Sequence, residues 1–179
     1  MATKFIKFTG LFLLLTTLTG CPGSNEDCFD YGSTARVDDL VSITPFQSTY
    51  NIGDTITYKV IIPSSNTFFG APINLFEITN DNNARIHINP IIFNDNQVTY
   101  LKGSVEAYEG GWSNVSYNNE NGNYELEINI KLLKGGLYSF LSGEYLIFQG
   151  SSECNRYRLD TNIEGWDIDN DGRIEFIVQ

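Results

Sequence analysis

Tyr124-Glu125-Leu126-Glu127-Ile128-Asn129-Ile130-Lys131-Leu132-Leu133 decides the fold. Tyr124, Leu126, Ile128, Ile130 and Leu132 fall on one side of an extended chain. Glu125, Glu127, Asn129, Lys131 and Leu133 fall on the other. Side chains alternate faces along a strand, so period two predicts a half-buried strand with the first set in the core. Asn118 to Asn123 is the turn before it, and Lys134-Gly135-Gly136 is the turn after it.

The same signal recurs on both sides. Ile56, Tyr58, Val60 and Ile62 alternate with Thr55, Thr57, Lys59 and Ile61, between a Gly53-Asp54 turn and Pro63. The apolar set is again the core face. Residues 37 to 44 read as a first strand ending at Pro45. Residues 73 to 79 and 84 to 89 read as a hairpin across Asn80-Asp81-Asn82-Asn83, where short polar side chains bond their own backbone. Residues 97 to 103 form a weaker strand. Glu109 to Trp112 is a loop, and Val115 and Tyr117 suit a short strand. Residues 138 to 140, 145 to 149, 157 to 160 and 174 to 178 supply the last strands. No helical period runs beyond about two turns. Eight or nine short strands with turn signals every 8–12 residues predict an all-β chain, a single antiparallel β-sandwich, with a closed barrel as the other solution.

Gly136-Leu137-Tyr138 resembles the tyrosine corner of immunoglobulin-like sandwiches, in which a Tyr hydroxyl returns to upstream backbone. The resemblance implies an immunoglobulin-like arrangement. The spacing of an immunoglobulin disulfide around a buried Trp is missing.

The N-terminus carries an address. Lys4 and Lys7 form a basic start, and Phe8 to Leu18 an apolar run. That run falls short of the roughly 20 residues that span a bilayer as a helix and has the layout of a signal peptide. Leu18-Thr19-Gly20-Cys21 resembles the lipobox of bacterial lipoproteins. In that family the chain is cut before the Cys, which then carries lipid. The resemblance implies a signal peptide over residues 1–20, a lipidated tether over 21–36 and a β-domain over 37–179. It implies contact with the lipid bilayer through acylated Cys21, at the bacterial outer membrane. Two or more acyl chains suffice for stable anchoring, where one is marginal. Pro22 to Asp27 resembles the acidic stretch that directs some lipoproteins to the cell surface; a solvated spacer is the other reading.

Removing residues 1 to 20 leaves 159 of 179 residues, enough for one domain with a core. The loss of Lys4 and Lys7 takes the formal charge from −11 to −13. An acidic surface argues against nucleic acid and anionic lipid heads as partners. With Cys21 lipidated, Cys28 and Cys154 remain, 126 positions apart. Export places them where disulfides persist, so they are expected to be bonded. The chain-entropy model gives such a bridge up to about 5 kcal/mol.

Chemistry-bearing residues are few. His87 is the single histidine, on the polar face of its strand with Arg85 and Asn89. Any Ser-His-Asp triad would have to use it, and a surface role is the simpler reading. Phosphate loops and dinucleotide fingerprints are missing. A pair of carboxylates would suffice for glycan hydrolysis, which makes a secreted glycan-active enzyme the alternative to a binding protein. Trp112 after Gly110-Gly111 and Trp166 after Gly165 are candidates for stacking on sugar rings, against ordinary packing. Asp167-Ile168-Asp169-Asn170-Asp171-Gly172 resembles the first half of the calcium loop in EF-hand, dockerin-like and integrin-type repeats. The resemblance implies Ca²⁺ held by Asp167, Asp169, Asp171 and the backbone carbonyl of Arg173, with Glu175 joining if the chain bends. Val178 stands where an EF-hand has its bidentate Glu, and an acidic hairpin turn is the alternative. The expectation is a lipid-anchored, non-enzymatic sandwich that binds an envelope protein or a glycan.

Overall fold

The computed structural model describes residues 33–88, 91–105, 111–141, 144–150, 155–164 and 173–179. All of these belong to one unit, Tyr31–Gln179. The strands are β1 (Ser33–Arg36), β2 (Val41–Thr44), β3 (Thr49–Tyr50), β4 (Thr55–Pro63), β5 (Ser65–Asn66), β6 (Ile73–Asn74) and β7 (Asn83–His87). They continue as β8 (Gln97–Lys102), β9 (Ser104–Val105), β10 (Trp112–Asn118), β11 (Asn123–Lys131), β12 (Gly136–Leu141), β13 (Glu144–Gln149), β14 (Arg156–Thr161) and β15 (Arg173–Val178). Among the described residues two short helices are α1 (Leu75–Thr79) and α2 (Ile91–Asn94). The chain is all-β, as expected, with more and shorter strands than eight or nine.

Among the described residues, ten strands form one sheet. Its path is β1-β14-β13-β7-β10-β11-β4-β2, with β8 on β11 and β9 on β10. A second sheet has the order β12-β15-β3, and β5 pairs with β6. Most pairings are antiparallel, but β1 runs parallel to β14 and β3 parallel to β15. A purely antiparallel arrangement is therefore corrected to a mixed, curled sheet. Both parallel partners are separated by most of the chain, so no hairpin turn dictates their direction. Ser33–Arg36, expected within the tether, is the sheet's edge strand β1.

β4 and β11 form the centre. Ile56 faces Ile130, Tyr58 faces Ile128, Val60 faces Leu126, and Ile62 faces Tyr124. All eight side chains, with Leu132, are fully buried, as the alternation predicts. Burial of each large aliphatic contributes about 1.5–3 kcal/mol. Ala84, Ile86, Val115, Leu146, Phe148 and Leu159 join the same core from the other strands. Phe140 ties in the second sheet, 5.9 Å from Tyr58 and 5.7 Å from Phe176 between ring centroids.

β10 and β11 pair only over Ser116–Asn118 and part before Ser116, and the β8–β9 segment fills the gap. Its first part pairs with β11 and its second with β10. Gly103 makes the switch at φ +76°. A Cβ there would stand 2.3 Å from the Asn114 carbonyl oxygen and 2.6 Å from Leu126 Cδ1. The close approach requires glycine.

The expected hairpin of residues 73–79 with 84–89 is not formed. Leu75-Phe76-Glu77-Ile78-Thr79 is the helix α1. Asn74 caps its start by accepting from the Glu77 N–H at 3.2 Å. Asn80 ends it in the left-handed region at φ 54°. β7 pairs instead with β10 and β13. The Tyr138 hydroxyl donates to the Lys134 carbonyl at 3.2 Å. Tyr50 likewise donates to the Pro45 carbonyl at 2.6 Å.

Candidate ligand-binding face

β14, β13, β7 and β10 lie side by side. Their alternation sends Leu159, Leu146, Ile86 and Val115 into the core. The other phase faces outward and carries Arg158 and Asp160, Tyr145, Arg85 and His87, and Trp112 and Asn114. Trp112 is paired directly with His87, and Tyr145 with Asp160. The register thus sets Trp112, His87 and Tyr145 in one cross-strand row.

The three rings form a cluster, each half-buried. His87 lies 5.2 Å from Trp112, and Trp112 lies 5.5 Å from Tyr145, both edge to face. Edge-to-face pairs at such distances contribute about 0.5–1.5 kcal/mol beyond their area. Two guanidinium groups flank them. Arg85 sits 5.7 Å from the Trp112 centroid and Arg158 4.4 Å from that of Tyr145. Arg85 also donates to Gln149 Oε1 at 3.2 Å, and Arg158 Nε to Asp160 Oδ1 at 2.7 Å. Ring–guanidinium contacts and planar forks hold the rotamers, so the face is largely pre-formed.

The outward phase of β10 continues from Trp112 through Asn114 and Ser116 to Asn118, a run of about 20 Å at ~3.3 Å per residue. Asn114 Nδ2 donates to Ser104 Oγ at 3.1 Å, and Ser116 Oγ to Asn83 Oδ1 at 2.9 Å. At its far end is an open cleft of about 450 Å³, lined by Lys102, Gly103, Ser116, Asn118, Glu120 and Glu125 among others. Glu125 lies on the outward phase of β11 yet is buried. Lys102 Nζ donates to its Oε2 at 2.9 Å, Asn118 Nδ2 to the same oxygen at 3.1 Å, and Asn121 Nδ2 to Oε1 at 3.1 Å. Burial raises the Glu125 pKa, but the bonds from Asn118, Lys102 and Asn121 and the Lys102 charge outweigh it, and the net shift is downward. Glu125 is a carboxylate at neutral pH. A general acid in glycan hydrolysis needs the opposite shift.

Of the residues singled out from sequence, Trp112 and His87 are brought together. Trp112 is the first residue of β10 and not part of a loop, because pairing with His87 extends the strand to it. Tyr145, the third ring, was missed; the alternation of Tyr145, Ile147 and Gln149 was the signal that could have placed it. Arg173 opens β15 opposite Leu141, and Glu175 pairs with Ser139 as an exposed ladder residue. Cys21, Cys28, Cys154, Trp166, Asp167, Asp169 and Asp171 lie outside the described residues. Among the described residues, no group of three or more His, Cys, Asp or Glu is placed to hold a metal ion. Nor is any helix among them long and apolar enough to cross a membrane.

No protein-family model matches the chain, and no curated protein matches it. Among solved structures it is similar to a family 123 glycoside hydrolase from Clostridium perfringens, studied for hydrolysis of glycolipid glycans. Identity is 18%, the TM-score is 0.27, and the match covers 70% of this chain and 24% of that one. It is also similar to PapD-like domain 7 of human CEP192, with 10% identity, a TM-score of 0.21, and coverage of 83% of this chain and 94% of that one. The chain spans about a quarter of the length of the hydrolase it matches.

Proposed function

We propose that the protein is a lipid-anchored, non-enzymatic binding protein of the bacterial cell envelope, and that β14, β13, β7 and β10 present its saccharide-binding face. The observation that carries the binding half is the Trp112–His87–Tyr145 row, half-buried on an outward sheet face and continued by amides and hydroxyls. Rings supply apolar surface for the faces of sugars, and fixed amides read their hydroxyls. The length of the strip suits several sugar rings in sequence. The anchoring half rests on Leu18-Thr19-Gly20-Cys21 and the basic and apolar segments before it. The finer architecture we assign is an immunoglobulin-like sandwich, with β12-β15-β3 packed through Phe140 and Phe176 on the inner face of the large sheet.

The alternative, a glycan-active enzyme, would use the cleft with Glu120 and Glu125. The downward shift of Glu125 argues against it as a proton donor. Two experiments test the proposal. Binding of soluble oligosaccharides should be seen by titration calorimetry and be lost in Trp112→Ala. A palmitate analogue fed to expressing cells should label the wild-type chain and not Cys21→Ser. A wild-type chain that never takes the label refutes the anchor, and an unaffected Trp112→Ala refutes the face.

A further inference from the structure

We infer that the cleft at the far end of the strip is a terminal subsite, so that the protein binds a glycan by its chain end and reads neighbouring hydroxyls there with Lys102 and Glu125. The inference rests on the saccharide-binding reading above and adds where along a glycan the protein binds.

The turn between β10 and β11 ends the strip. Gly122, at φ +71°, lets the chain reverse, and its N–H donates to the Asn118 carbonyl at 2.8 Å. Asn118 Oδ1 accepts from the Glu120 N–H at 2.9 Å and Asn121 Oδ1 from the Asn123 N–H at 3.0 Å, so the turn is held from within. Asn121 also reaches back over the outward face of β11 to donate to Glu125 Oε1 at 3.1 Å. Beneath it the Glu125 side chain is only 8% exposed, against 24% for Glu127, the next outward residue of the same strand. The turn therefore stands over the sheet face as a wall, and a chain laid along β10 from Trp112 stops against it.

The floor of the cleft is a charge pair. Among the described residues, Lys102 Nζ uses one of its three N–H groups, on Glu125 Oε2, and its side chain stays 44% exposed. Glu125 Oε2 accepts two bonds and Oε1 accepts one, which leaves Oε1 a further acceptor site. The opposite charges cancel, so the floor asks for no net charge on its ligand. It sets remaining donors beside a remaining acceptor, a pattern that adjacent hydroxyls match because each both donates and accepts. Bonds to charged groups are the stronger kind. A carboxylate in the cleft would face Glu120 and Glu125, and an ammonium would face Lys102. Tyr117 also lines the cleft, but its ring is engaged by Phe76 and Tyr124, 4.0 and 5.2 Å away between centroids. Polar contacts rather than a ring face thus decide what enters.

The test uses the mature chain with cellohexaose, mannohexaose and maltohexaose, and with longer soluble chains of the same linkages. Each hexasaccharide is also prepared with its reducing end converted to the alditol, or with the hydroxyls of its other end O-methylated. For a sugar that binds, titration calorimetry should give one protein per chain at every length. One of the two altered forms should bind at least ten times more weakly than the parent. Lys102→Met should weaken binding of the parent about tenfold, the loss of one hydrogen bond to a charged group. That variant also unpairs Glu125, so thermal melts accompany it, and the altered sugars ask the same question without any variant. Trp112→Ala should weaken parent and altered forms alike. Protein-to-chain ratios that rise with length, equal binding of the parent and both altered forms, or a folded Lys102→Met that binds as wild type does, each overturn the inference while the saccharide face stands. No binding of any probe overturns the terminal subsite and the saccharide face together.

Discussion

Replacing Gly103 with alanine asks whether the gap between β10 and β11 depends on a missing side chain. Two costs combine. At φ +76° any Cβ is strained, by about 1 kcal/mol. The methyl would also stand 2.3 Å from the Asn114 carbonyl oxygen and 2.6 Å from Leu126 Cδ1. The leucine end can turn slightly, but it is fully buried. The carbonyl belongs to a residue laddered to Ser104 and Arg85, so it cannot retreat without breaking pairing on both sides. Overpacking of this kind costs about 1–3 kcal/mol. The expected loss is about 2–4 kcal/mol in total. Gly122→Ala is the matched control: its φ is +71°, but no atom lies within 4 Å of the added Cβ. It should lose only the conformational part, about 1 kcal/mol. Urea unfolding of both variants, followed by tryptophan fluorescence and far-ultraviolet dichroism, measures the difference. If the two lose the same stability within half a kcal/mol (about the limit of the method), the close approach at Gly103 is not what shapes the split.

Ile128→Ala empties a fully buried position between Tyr58 and Tyr100 and should cost about 2–5 kcal/mol in the same unfolding assay. A loss below half a kcal/mol would mean that the core face is wrongly assigned. Glu125→Gln should lose about 1–3 kcal/mol at neutral pH through weakened bonds to Lys102, Asn118 and Asn121. Because the folded-state pKa of Glu125 is depressed below 4.5, its contribution is present above that value and disappears as pH falls through the folded pKa. The difference between wild type and Glu125→Gln should therefore narrow on acidification. A constant difference from pH 7 down to pH 3 would contradict it.

The central strands were legible because both faces of β4 and β11 are chemically unlike. Every residue assigned inward on them is buried. α1 was not legible in the same way, since Leu75-Phe76-Glu77-Ile78-Thr79 has strand-like composition and is too short to show a helical period. Its signals were the asparagines at each end, Asn74 read as part of a strand and Asn80 as part of a turn, although both cap it. The candidate face was half legible. Trp112 and His87 stood out as rare residue types, but their meeting with Tyr145 depends on strand order, which alternation does not encode. Pairings between strands far apart in sequence follow from whole-sheet packing, and so do the parallel directions of β1 and β3.

β15 lies in the middle of its sheet, between β12 and β3. Thr49 meets Ile177 across 128 positions, and Ser33 meets Tyr157 across 124. Because a chain emerges from its N-terminus, β3 and β1 exist long before the strands that receive them. Until Arg173–Val178 arrives, Tyr50, Tyr138 and Phe140 lack Phe176, the ring on which all three converge. Loop-closure entropy is spent before these contacts repay it, which places the protein among slow-folding, high-contact-order domains. The β4–β11 ladder needs only the stretch from Thr55 to Lys131 and is free to form first. Assembly thus runs outward from the centre, and the second sheet is closed only by the arrival of β15.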